Sequence, residues 1–70
     1  MENKNDRFRR LATKRTNDII SKIRILGNLS NKSSYTYSDE EVQKIFKVIE
    51  DQLKDTKNSF LSKKKREFSL

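Results

Sequence analysis

Residues 38–60, SDEEVQKIFKVIEDQLKDTKNSF, decide the fold. They open with Ser38-Asp39-Glu40-Glu41, a capping box in which Ser38 accepts from the Glu41 N–H while the Glu41 side chain reaches back to the cap. Tyr37 and Val42 flank it as a hydrophobic staple, and the three acids of the first turn suit the positive end of the helix dipole. Beyond the box, Val42, Phe46, Ile49, Leu53, Thr56 and Phe60 recur at alternating steps of four and three, with Ile45 alongside. That is close to a coiled-coil repeat and predicts a second helix over 38–61. The next step lands on Lys63, so residues 62–70, SKKKREFSL, read as a basic tail or a frayed helix end.

Working back toward the N-terminus, residues 27–37, GNLSNKSSYTY, have no helical period and collect Gly, Asn and Ser, which reads as a connecting loop. Before it lies RFRRLATKRTNDIISKIRIL, residues 7–26, with Phe8, Ala12, Ile19, Ile23 and Leu26 on one face and Leu11 at its edge. This predicts a first helix capped by Asp6 or Asn5. The chain's single glycine, Gly27, stands where a left-handed residue would stop it.

Two helices of about 30 and 34 Å, at 1.5 Å per residue, joined by one loop imply an all-α antiparallel hairpin forming one domain over 1–70. Setting Leu26 opposite Val42 places Ile23 by Ile45, Ile19 by Ile49, Ala12 by Thr56 and Phe8 by Phe60. Large side chains then face large ones and small faces small. Half of each stripe stays uncovered, and Ile20, Ile25 and Val48 lie off the stripes, so dimerisation or a partner is expected to complete a bundle. Arg15 falls within the apolar face of the first helix. A pair with Asp55 would hold the register between helices, and the alternative is a polar site opened by Arg15 and Thr16.

Composition excludes much chemistry. The 70 residues contain no Cys, His, Pro or Trp, which removes thiolate nucleophiles, imidazole bases, disulfides and zinc-finger ligand sets. Adjacent carboxylates, Glu40-Glu41 and Glu50-Asp51, diverge by about 100° on a helix and cannot converge on one substrate. No phosphate-cradling glycine loop or nucleophile elbow is present. The expectation is a binding protein, not an enzyme, with no metal, cofactor or small-molecule substrate. No apolar run exceeds two residues, so neither a membrane span nor a signal peptide is read, and a cytoplasmic setting is expected.

The charge points to what is bound. Seventeen Lys and Arg against ten Asp and Glu give +7, and the excess is local. Residues 1–37 carry nine basic and three acidic groups, 38–58 four and six, and 59–70 four and one. In a hairpin, Arg7, Arg9 and Arg10 come near Lys63, Lys64, Lys65 and Arg66. Arg10, Lys14 and Arg24 recur on one outward face of the first helix. This is the footprint of phosphate contact, by RNA or DNA, with arginine's planar fork suited to it and Phe68 as a stacking surface. The same runs also read as a solvated face that keeps a small protein apart from its copies. Tyr35, Ile25 and Val48 are the candidate contacts for a protein partner. The competing reading is an accessory subunit or small inhibitor of a phage or mobile element, docking onto a host effector without nucleic acid.

RLATKRT in the first helix, IRILGNLSNKSSYTY across the turn and SDEEVQKIFKVIEDQLK in the second resemble short helical-hairpin proteins of Gram-positive bacteria and their mobile elements, over residues 8–60. The resemblance implies fold and setting and assigns no functional residues. In layout alone the chain is also similar to the dimeric helical-hairpin RNA binder of plasmid copy control.

Overall fold

The computed structural model describes residues 1–65, with side chains through Leu61. It is all-helical, with no strand among the described residues: α1 spans Lys4–Gly27, a single 3₁₀ turn spans Asn28–Ser30, and α2 spans Asp39–Lys65. The chain divides into two units, residues 1–36 and residues from Tyr37 onward.

In the first unit, α1 starts a turn earlier than its apolar period predicts. Asn3, with extended backbone (φ −85°, ψ 176°), is the cap, and its Oδ1 accepts from the Asp6 N–H at 2.7 Å. Its carbonyl accepts from the Arg7 N–H at 3.0 Å. Asn5 and Asp6 are therefore inside the first turn and do not cap it. The physical reason is competition among short polar side chains. Asn3, Asn5 and Asp6 can all satisfy an orphan N–H, and the outermost adds the most helix while leaving Asp6 at the positive end of the dipole.

The stop signal also differs from expectation. Gly27 is right-handed helical (φ −60°, ψ −26°), and no described residue has positive φ. The Asn28 N–H turns back onto the carbonyls of Arg24, Ile25 and Leu26, and the chain tightens into the 3₁₀ turn. Helical winding ends at Asn31, whose backbone is extended (φ −70°, ψ 103°). The Asn31 side chain accepts from the Ser33 N–H at 3.0 Å, and its carbonyl accepts from the N–H groups of Ser34 and Tyr35. An Asx turn thus performs the breaking assigned to glycine. The loop is correspondingly shorter, residues 31–38.

A Cβ added at Gly27 would meet nothing within 4 Å. With helical dihedrals and open space, Gly27→Ala should stabilise the helix by about 0.5–1 kcal/mol, because only the unfolded chain loses freedom. A rise in thermal midpoint checks this; a left-handed Gly27 would give a fall.

In the second unit the capping box forms as the sequence predicts. The Glu41 N–H donates to Ser38 Oγ at 3.1 Å, and the Ser38 N–H donates to Glu41 Oε1 at 2.9 Å. Val42 N–H closes the first helical bond on the Ser38 carbonyl. Tyr37 and Val42, the staple pair, are both half-buried while Ser38 to Glu41 between them are exposed. The helix continues past residue 61 to Lys65, so of the two readings of this stretch, tail or helix end, the backbone of 62–65 is helix end. Arg66 and Phe68 lie outside the described residues.

The Glu41 carboxyl is held below its ordinary value, chiefly by the Ser38 backbone N–H and next by the Ser38 hydroxyl. Since the folded-state value is the lower one, this contribution is complete above the ordinary carboxylate range, near pH 4, and fades as pH falls through the lowered value. Acidification should therefore lower the protection of the first-turn amides of α2 relative to their intrinsic exchange rates, and Glu41→Gln should flatten that response. Ser38→Ala should cost α2 about 1 kcal/mol at neutral pH.

Neither unit has a core among its described residues. Among the described residues no side chain is buried; Leu11, Ala12 and Leu26 on α1 and Val42 and Ile49 on α2 are half-buried at most. The apolar stripes of both helices are therefore unpartnered within their own units.

Candidate nucleic-acid interface

α1 is the basic element. Its unit carries nine Lys and Arg against three Asp and Glu, a net +6, whereas residues from Tyr37 onward carry eight against seven, a net +1. What matters for phosphate contact is which of these cations are already engaged.

Arg10 is engaged. Its Nε and Nη2 donate to the two carboxylate oxygens of Glu2 at 2.8 and 3.0 Å, a bidentate fork across the start of the helix. This hydrogen bond to the Glu2 side chain raises the Arg10 pKa further above its already high ordinary value. Lys14 Nζ donates to Asp18 Oδ2 at 2.9 Å. The outward row Arg10–Lys14–Arg24 is therefore not free of acid. Two of its three cations hold carboxylates, because a helix brings residue 18 back over residue 14 and Glu2 lies within reach of Arg10 from just outside the cap. Both pairs are largely exposed and so of small strength. In the second pair lysine precedes the acid, the weaker of the two orientations. Lys14 is the easier of the two to surrender to a phosphate.

Lys4, Arg7, Arg9, Arg15, Lys22 and Arg24 have no ion pair or side-chain hydrogen bond to any described residue. Of the residues singled out from sequence, Arg7, Arg9 and Arg24 thus stay available. Arg24 also sits in the last turn, where a cation suits the helix dipole. Lys4 and Lys22 were not singled out. They are five whole turns apart and so share a face, with Arg15 about 20° away from it at 100° per residue. Together the three run along one edge of the apolar stripe. The signal that finds Lys4 is the Asn3 cap, which turns residue 4 from leader into helix.

Arg15 is exposed, as is Asp55, whose carbonyl accepts from Ser59 Oγ at 3.3 Å. The backbone of Lys63, Lys64 and Lys65 is helical. On α2, Lys47 pairs with Asp51 at 3.3 Å. The candidate partner contacts Tyr35, Ile25 and Val48 are exposed by 49, 58 and 68%.

Among the described residues no cluster of acids could hold a metal ion, and no helix is long and apolar enough to cross a membrane. No protein-family model matches the chain, and no curated protein or solved structure shows significant similarity to it. The functional reading rests on the chain's own residues.

Proposed function

We propose that this chain is a small non-enzymatic module that grips the phosphate backbone of nucleic acid, alone or within a ribonucleoprotein, through α1. The observation that carries the reading is the set of six α1 cations without a carboxylate partner among the described residues, in a unit of net charge +6. A protein that only needs solubility gains as much from interspersed charges of both signs. Leaving cations unpaired along one helix raises the local potential instead, and that potential draws in a polyanion.

Arg7, Arg9 and Arg24 are the principal contacts, with Lys4 and Lys22 along the edge of the stripe. Arg10 and Lys14 join only by releasing Glu2 and Asp18. Pairing of α1 and α2 as an antiparallel hairpin, completed into a bundle by a second copy or another protein, supplies the missing cover for both stripes. In that arrangement Lys63, Lys64, Lys65 and Arg66 add to the start of α1, and Asp55 meets Arg15. A cytoplasmic setting follows from the same reading.

Titration of a labelled oligonucleotide at low and moderate salt tests the proposal. Binding that weakens steeply with salt supports it, and binding absent at low salt, or insensitive to salt, overturns it. The exposure of Ile25 and Val48 off the stripes favours a second reading, an accessory protein docking onto a host effector. Capture of a partner from lysate that survives nuclease treatment would select that reading.

A further inference from the structure

The stripe on α2 has a property that the stripe on α1 lacks. Its six positions, 42, 46, 49, 53, 56 and 60, are symmetric about residue 51, so an antiparallel copy of α2 brings Val42 opposite Phe60, Phe46 opposite Thr56, and Ile49 opposite Leu53. Each layer then joins a large side chain to a smaller one, or two of equal size, and the seam has even thickness along about 27 Å. A parallel copy in register would instead set Phe46 on Phe46, Phe60 on Phe60 and Thr56 on Thr56, alternating thick and thin. A two-fold interface requires such a self-complementary surface.

Thr56 is the one polar member of the seam. Its Oγ1 already accepts from Gln52 Nε2 at 3.3 Å within the same helix, so its methyl can enter the seam without orphaning the acceptor.

Applied to α1, the same symmetry fails. The register that pairs Phe8 with Leu26 sets Arg15 against Ile19 and Lys22 against Ala12, placing four cations of the two chains in the seam. Charge points the same way. Residues 4–27 carry eight Lys and Arg against two Asp, so two copies of α1 repel, whereas residues 39–61 carry four against six. Along one flank, Glu50 of one copy and Lys57 of the other fall about 7.5 Å apart along the axis, within reach of long side chains that lean toward their own N-termini. Neither has an ion pair with a described residue. The two Glu50 residues also flank the axis, and these lysines offset their repulsion.

We infer that α2 pairs with α2 of a second copy, antiparallel, with the two-fold axis at residue 51. The α2 stripe, about 100° wide, can face both this partner and α1 of its own chain. The inference commits the open part of the proposed bundle to a second copy, and it does not depend on nucleic acid.

The chain has no cysteine, so introduced thiols report register alone. Two full-length variants, Ile49→Cys and Leu53→Cys, are oxidised separately and as a mixture, without nucleic acid, with one carrying a mass tag. The mixed disulfide should exceed either same-variant disulfide roughly tenfold, since pairing 49 with 49 or 53 with 53 is offset by about 6 Å along the axis. Sedimentation of the unmodified chain in the micromolar range should give a dimer. Predominance of same-variant disulfides indicates parallel pairing and overturns the inference, as does a monomer or a trimer. If nucleic acid binds a chain that sediments as a monomer, the inference fails and the proposed function stands. A dimer that ignores nucleic acid has the opposite meaning.

Discussion

Raising the salt from about 50 to about 200 mM should weaken duplex binding about 500-fold if Lys4, Arg7, Arg9, Lys22 and Arg24 all meet phosphates, because each contact releases a counterion and contributes about 0.9 to the logarithmic slope. On a single strand the contribution per contact is about 0.7, and the loss is correspondingly smaller. The structure makes the prediction sharper than net charge does. Arg9 and Arg10 are neighbours in sequence and identical in charge, but Arg10 is forked onto Glu2 and Arg9 has no such partner among the described residues. Arg9→Gln should therefore lower the salt slope by about 1. Arg10→Gln should lower it by clearly less, because binding through Arg10 must first displace Glu2. Combined loss of Arg7, Arg9 and Arg24 should abolish measurable binding at moderate salt. Equal effects of Arg9→Gln and Arg10→Gln would mean that total charge, not this set of free cations, governs the contact.

The second large effect lies in the α2 seam, and helix propensity and packing predict it with opposite signs. Leu53 is 54% exposed within its own unit. On a helix that stays uncovered, Leu53→Ala is neutral or slightly favourable, since alanine is the better helix former. In a packed seam the same truncation costs about 2–5 kcal/mol, which for a chain this short is a fall in thermal midpoint of at least about 10 °C. The packed outcome is expected, because helices of 24 and 27 residues with no buried side chain among the described residues have little to hold them in water but each other or another chain. Val48→Ala, off the stripe and 68% exposed, is the control. It should leave the midpoint unchanged or raise it slightly, since valine is stiff in a helix.

Much of the architecture was legible in residues taken a few at a time. The Ser38–Glu41 box forms with both its hydrogen bonds, and α2 begins where it predicts, because a capping box is a local device whose partners are three residues apart. Apolar periodicity places the body of each helix, while α1 starts three residues earlier and α2 runs four residues further than it predicts. The ends of α1 were less legible for the same reason in reverse. Asn3, Asn5 and Asp6 are nearly equivalent caps, and Asn31 rather than Gly27 breaks the helix, so differences of a few tenths of a kcal/mol select the boundary. The candidate site was legible in its cations. Which of them are available was not, since that depends on where Glu2 and Asp18 fall once the helix is wound.

By itself, then, the sequence determined two long amphipathic helices, the cap between them and a chain with its positive charge gathered on the first. These follow from interactions within four residues, which any copy of the chain carries. Only the three-dimensional structure decided that, among the described residues, Arg10 and Lys14 are paired while Arg7, Arg9 and Arg24 are not, that Lys4 belongs to α1, and that Gly27 winds as helix. Those outcomes turn on side chains from neighbouring turns competing for the same charged and hydrogen-bonding groups, and composition and spacing do not rank such competitors.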